Sequence, residues 1–418
     1  MNTDTKVTEQ SRSPRGVFKS FIPGIVKALE SQGYVTPTPV QRECIPHLLR
    51  GRDVLGVAQT GTGKTAAFAL PVLQHLSQNA RSRRKGTPRV LVLAPTRELA
   101  AQIAESMDVY GKFLSVRTTI VFGGVKQGSQ VRSLNGGVDI LVATPGRLLD
   151  LMGQGFIDLG SVEIFILDEV DRMLDMGFIP DIRRVLGKIP KNRQTMFFSA
   201  TMAGPMKTLA DSMLTDPVEV RITPEQPTVD TVEQKVLYVS KYDKDDLLSQ
   251  ILSDPAVSKA IVFTQMKHTA NKVAKKLLKD GIRGTAIHGN KSQAARTKSL
   301  EGFKKNRFDV LVATDVAARG LDVDHISHVI NYDLPAEAET YVHRIGRTAR
   351  AGAAGDAISF CSGADRAYLR DIEKLLGKDV PVYTDHEYHS EAARNSREMP
   401  AKITGGNRSR SFGRRGRR

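Results

Sequence analysis

Residues 58–65 read Ala58, Gln59, Thr60, Gly61, Thr62, Gly63, Lys64, Thr65. Gly61 and Gly63 let the backbone curl so that its N–H groups point into the loop, where phosphates can sit. Lys64 can then reach terminal phosphates and the Thr65 hydroxyl can meet Mg2+. A helix starting here adds its positive end. The usual pattern asks for Gly where Ala58 stands, a departure that leaves the cradle intact. A second constellation is ILDEVDRMLD (166–175), in which Asp168 and Glu169 follow the apolar run IFIL. A buried strand ending at Asp168 sets that acid at the carboxyl edge of a sheet, where open α/β sheets bind ligands. Triphosphate hydrolysis needs one acid to hold Mg2+ through its waters and another to orient the attacking water. Asp168 suits the first role and Glu169 the second. Acids also suit the start of a helix, but that does not explain why they follow a strand in a chain with a phosphate loop.

A third run, YVHRIGRTAR (341–350), spaces Arg344, Arg347 and Arg350 by three, along one side of a helix if the run is helical. Such guanidinium groups can stabilise charge on a transferring phosphoryl group. A solvated basic face is the alternative, although His343, Gly346 and Thr348 make the run less than generic.

These residues need a scaffold. Apolar runs recur at 89–95, 139–145, 164–169 and 195–201, then at 259–265, 284–289, 309–315, 328–333 and 356–361. Runs apolar throughout suit strands of a parallel sheet covered on both faces. The stretches between them, such as 268–280 and 293–305, carry helical spacing. The βαβα pattern appears twice, so the expected class is α/β, with two tandem doubly wound parallel-sheet domains. Three prolines and many polar residues between 215 and 235 mark the break.

The 418 residues carry a net charge of +16. A surplus of this size favours a polyanionic partner, nucleic acid first and acidic membrane second. Residues 401–418 hold seven Lys or Arg and no acid, so removing them still leaves +9. That Arg/Gly/Ser-rich end is expected to be disordered when free. Cys44 and Cys361 are far apart and lack ligand spacing, which speaks against a disulfide framework or zinc site. No secretory leader or membrane-length apolar run is visible, and a cytoplasmic location is expected.

With these motifs in order, the chain resembles a DEAD-box RNA helicase of superfamily 2. GYVTPTPVQ (33–41) matches the adenine-sensing Q motif, 58–65 motif I, PTRELA (95–100) motif Ia, and the glycines at 123–124 with TPGR (144–147) motif Ib. DEVD (168–171) and SAT (199–201) match motifs II and III. IVFT (261–264), QAAR (293–296), ATDVAARGLDV (313–323) and HRIGRTAR (343–350) match motifs IV, IVa, V and VI. The wording of RMLDMGF (172–178) and HGNKSQAAR (288–296) is most similar to bacterial proteins of the RhlE type.

The resemblance implies RecA-like domains: a disordered N-terminus (1–17), domain one (18–218), a linker (219–232), domain two (233–378) and a basic tail (379–418). It implies ATP and Mg2+ as cofactors. Gln41 would read adenine, with Phe18 and Tyr34 beside it and residues 58–65 around the phosphates. Thr65 and Asp168 would hold Mg2+, Glu169 would position water, and Asp315 would meet the ribose. Lys64, Asp168, Glu169, Arg347 and Arg350 would form the catalytic set once the domains close. Asp171, Ser199, Thr201 and His343 would couple the domains. RNA would be held without sequence preference by Thr96, Arg97, Gly124, Thr144 and Arg147 on domain one, and by Arg296, Thr314 and Gly320 on domain two. The partner is then RNA, with ribosomal or RNA-decay assemblies open, no membrane, and a monomeric chain. A non-hydrolysing RNA clamp and a DNA helicase of the same superfamily are the alternatives. Three positions depart from the family: Val170 stands where Ala gives the motif its name, Ala349 stands where Gly is common, and Phe18 lies 15 residues before Gly33, where about 17 is usual.

Overall fold

A computed structural model of the chain describes residues 13–59, 61–202, 204–222, 232–318, 323, 325–349 and 355–396. They form two compact units, residues 13–222 and residues 232–396. The first unit has seven strands: β1 (Val54–Val57), β2 (Val90–Leu93), β3 (Thr118–Val121), β4 (Ile140–Ala143), β5 (Ile164–Leu167), β6 (Gln194–Ser199) and β7 (Val218–Arg221). They pair in the order β3-β4-β2-β5-β6-β1-β7, and every pairing is parallel. Side chains alternate between the two faces of a strand, and each face has its own core. Val90, Val92, Ile140, Val142, Ile164 and Ile166 lie in one. Leu91, Leu93, Leu141, Ala143, Phe165 and Leu167 lie in the other. Covering on both sides is why these strands read as unbroken apolar runs.

The second unit repeats the plan with β8 (Val232–Tyr238), β9 (Ala260–Phe263), β10 (Gly284–Ile287), β11 (Val310–Ala313), β12 (His328–Asn331) and β13 (Gly355–Cys361). Their order is β10-β11-β9-β12-β13-β8, again parallel throughout. The expected helical stretches form helices Lys267–Lys279 and Gln293–Lys304. The first of these buries Ala270, Val273, Ala274 and Leu277, one stripe of its surface. Cys44 and Cys361 are free and buried. Among the described residues no helix is long and apolar enough to cross a membrane.

Three expectations need correction. Residues 218–221, of which 219–221 fall in the expected linker, form β7 and pair with β1. The basic tail does not begin at 379. Val236 N donates to Pro381 O, Tyr383 N to Val236 O, and Ser390 N to Tyr238 O, so this segment runs along the outer side of β8. Val380 and Ala393 are buried in the adjoining core. Finally, helix Ala338–Ile345 ends with Gly346 as its cap, so Arg347 lies beyond the helix that carries Arg344 and the two do not share its face.

Candidate functional site

β1 runs directly into the phosphate loop. Gly63 has φ 92°, and a Cβ there would sit 2.5 Å from Gln41 Nε2, so both backbone and space demand glycine. Helix Lys64–Gln78 starts immediately after it. The loop is tied inward: Lys64 Nζ donates to Ala58 O (2.5 Å), and the Thr62 hydroxyl to Gln59 O (2.7 Å). Thr65 is partly buried in the first turn of the helix. Gln41 is buried and already engaged. It accepts from Thr38 N (2.9 Å), closing a capping box, and donates to Gly63 O (3.1 Å). The Q motif therefore grips the phosphate loop through one side chain. Tyr34 is partly buried, its hydroxyl 2.8 Å from that of Tyr110. Phe18 departs from expectation: it is 0% exposed and lies edge-on to Tyr34. A ring without an accessible face has no surface to give a base, so Phe18 supports Tyr34 from within the core.

β5 ends at Leu167, two strands from β1 across β6 and hence about 10 Å away at the usual strand spacing. Asp168 is 2% exposed, and its Oδ1 has no hydrogen-bond partner. Burial, resisted by Lys64 and reinforced by Glu169 and Asp171, pushes its carboxyl up to about 7. A buried carboxylate oxygen without a donor is what a hydrated Mg2+ would complete, so the donor set fits that ion. Glu169 occupies the left-handed region (φ 56°, ψ 53°) at the cap of helix Val170–Asp175. Its Oε2 accepts from Arg172 Nη1 at 2.6 Å, and both side chains are buried. Val170 is fully buried in the core of that face, so the extra methyls are accommodated there.

Asp171 joins the acids to residues 199–201. Its Oδ2 accepts from Ala200 N (3.0 Å) and Thr201 N (3.2 Å), and its own N donates to Ser199 Oγ (3.3 Å). Ser199 O in turn accepts from Ala58 N at 2.9 Å. Three motifs distant in sequence are thus one hydrogen-bonded set on β1, β5 and β6.

The RNA candidates of this unit follow three other strands, β2, β3 and β4. Thr96, after β2, caps helix Arg97–Tyr110 by accepting from Leu99 N (3.2 Å). Gly124, after β3, has φ 77°, and a Cβ on it would meet the Arg97 guanidinium at 2.1 Å. Glycine there lets Arg97 lie on bare backbone. Thr144 caps the helix after β4, and Arg147 reaches Asp150 (3.3 Å), Gln130 (3.4 Å) and Val125 O (3.4 Å).

In the second unit, Asp315 opens helix Asp315–Ala318 after β11 and binds Arg344 through both oxygens (2.6 and 2.8 Å). Arg344 also donates to Asn331 Oδ1 and Asp333 O and covers the Phe263 ring. It is 1% exposed, so it organises this edge and does not face a ligand. Arg347 is buried, His343 is exposed, and Thr314 is buried with its carbonyl accepting from Ala317 N and Ala318 N. Arg296 lies in the first turn of helix Gln293–Lys304. Thr60, Gly320 and Arg350 lie outside the described residues. Sequence reading missed Arg172. Its i,i+3 spacing from Glu169 was the available signal.

Residues 38–209 match the DEAD/DEAH box helicase family, and 243–352 match the helicase conserved C-terminal domain. The ATP-dependent RNA helicase DeaD of Escherichia coli (strain K12) is 45% identical over 358 residues, 85% of this chain. The chain spans 56% of that relative's length. The structure of S. cerevisiae Dbp5 bound to RNA and ADP BeF3 is 32% identical and superposes with a TM-score of 0.75, covering 87% of this chain and 93% of that one. A DEAD box protein from Methanococcus jannaschii is 34% identical, with a TM-score of 0.51 over 87% of this chain and 97% of that one. With two RecA-like sheets, a phosphate loop beside DEVD, and relatives at this identity, the chain belongs to the DEAD/DEAH box helicase family.

Proposed function

We propose that this chain is an RNA-stimulated ATPase that remodels RNA duplexes or RNA–protein complexes by ATP-dependent closure of its two domains. The observation that carries the reading is the set on β1, β5 and β6: a phosphate loop held by Gln41, a buried Asp168 with an unpartnered oxygen, and Asp171 tied to 199–201. RNA helicase activity in the DeaD relative, and RNA with ADP BeF3 on Dbp5, support the same substrate pair here.

Adenine is read by Gln41, which must exchange an internal bond for the base. Phosphates lie along 58–65, where Lys64 leaves Ala58 O to neutralise them. Thr65 and Asp168 would hold Mg2+, which would offset charge on the phosphoryl oxygens. Glu169 orients the attacking water, and Arg347 and Arg350 meet the γ-phosphate on closure. Asp315 supplies the ribose contact. Asp171, Ser199, Thr201 and His343 couple closure to the RNA side. Thr96, Arg97, Gly124, Thr144, Arg147, Arg296, Thr314 and Gly320 offer backbone N–H, hydroxyl and guanidinium donors. These suit phosphate and 2′-OH, so binding is sequence-independent. The RhlE-type wording, a cytoplasmic location, a monomeric state and ribosomal or RNA-decay partners belong to the same reading.

The test is ATP turnover by the full chain with and without single-stranded RNA, with a matched DNA strand as competitor. Expected is turnover that RNA raises and DNA does not. Turnover indifferent to RNA, or none, would defeat the proposal.

A further inference from the structure

We infer that Arg172 is a positioning residue for hydrolysis, fixing the carboxylate of Glu169 in the direction from which it orients water. The inference rests on the role proposed above for Glu169. Arg172 Nη1 donates to Glu169 Oε2 at 2.6 Å, and the two side chains are 7% and 4% exposed. The pair forms within one turn, so the direction of Glu169 is set by the residue that directly follows DEVD.

Two further observations give this contact more than a stabilising role. Glu169 has left-handed backbone geometry, φ 56° and ψ 53°, which a β-carbon disfavours. Its neighbours hold it there: Met173 N donates to Glu169 O (3.2 Å), and Arg172 closes on its side chain. Arg172 is also linked to the 199–201 segment. Its own N donates to Asp171 Oδ1 (3.0 Å), while Asp171 Oδ2 accepts from Ala200 N and Thr201 N. A shift of 199–201 therefore moves Asp171, the backbone of Arg172, and the guanidinium that holds Glu169. The path from motif III to the water-orienting group runs through this arginine. A buried ion pair is an inefficient means of stability alone, since apolar side chains of similar volume serve as well or better. The planar fork of Arg fixes an angle that a flexible ammonium does not.

The experiment measures steady-state ATP hydrolysis over a range of ATP concentrations by the full chain with saturating oligouridine, for the unaltered protein, Arg172→Gln, Arg172→Lys, Glu169→Gln and the double variant. Arg172→Gln is expected to lower kcat about 10- to 100-fold while KM for ATP changes less than about threefold, and Arg172→Lys is expected to recover part of the loss. In the Glu169→Gln background, Arg172→Gln is expected to change the rate less than about threefold, because residues acting as a unit are not additive. Equal losses in both backgrounds, or a raised KM at unchanged kcat, would overturn the role of Arg172. Should the Gln variant fail to fold, Arg172→Lys decides: a kcat equal to that of the unaltered chain overturns the role, and a loss confined to the Glu169 background supports it. An unaltered chain that does not hydrolyse ATP overturns the functional reading instead.

Discussion

Single residues carry measurable consequences on both sheets. Ala349 holds φ 52°, where a β-carbon costs about 1–2 kcal/mol and glycine costs about 0.5–1 kcal/mol in unfolded-state entropy. Ala349→Gly is therefore expected to stabilise the second unit by about 0.5–1 kcal/mol, read as a raised urea midpoint. Away from the site, Glu163 accepts from Arg89 at 2.8 and 2.9 Å and also meets His75 and Arg81. Burial alone would raise its carboxyl, but the bonds from Arg89 and His75 win and bring it to about 2. A carboxyl depressed by folding adds stability above its unfolded pKa and loses it as pH falls through the folded one. After discounting for its partial exposure, Glu163→Gln should cost about 1–2 kcal/mol at pH 7. The difference should shrink as pH falls from about 4.5 towards 2. A gap unchanged at pH 3 in urea titrations would contradict it.

Among elements, the strand order divides the carboxyl edge of the first sheet. β5, β6 and β1 are adjacent and end in the residues proposed for ATP binding and hydrolysis, whereas β3, β4 and β2 are adjacent and end in the RNA candidates. Nine strands were legible, most clearly β2, β4, β5, β9 and β11, which are buried along their whole length and apolar throughout. Of the other four, β3 and β7 lie at an edge, where Thr118, Glu219 and Arg221 meet solvent and break the apolar run. β8 alternates buried with exposed residues at its start, and β1 is four residues long with Gly56 inside it. The phosphate loop and acids were legible from residue type and spacing. The Arg172–Glu169 bond, the burial of Phe18 and the engagement of Arg344 were not, because side-chain partners follow from packing and not from order along the chain. The outer side of β8 gives an element-scale test. Residues 380–396 cover it with backbone bonds and bury Val380 and Ala393. Ending the chain after 379 should cost the second unit about 2–4 kcal/mol and expose a strand edge that promotes association. Ending it after 396 should do neither. Urea unfolding and light scattering of the two truncations make the comparison.

For the whole molecule, charge governs how it meets a polyanion. The chain carries +16, and the last 18 residues supply seven of those charges without an acid. A cut after residue 396 removes the basic end and keeps the residues that pack against β8. Lys and Arg that neutralise phosphates release counterions, so affinity for a single strand falls with log salt by about 0.7 for each contact. Removing residues 397–418, which hold Arg397 as well as those seven, should therefore weaken RNA binding most at low salt and flatten the salt slope, by at most about 6 if all eight cations reach phosphates. ATP turnover at saturating RNA should stay the same, since every residue of the hydrolytic set lies before 351. Fluorescence anisotropy with a labelled oligouridine, taken from about 50 to 300 mM salt on both chains, gives the two slopes. Parallel lines would assign the steep electrostatic attraction to the folded units and leave the basic end no part in holding RNA.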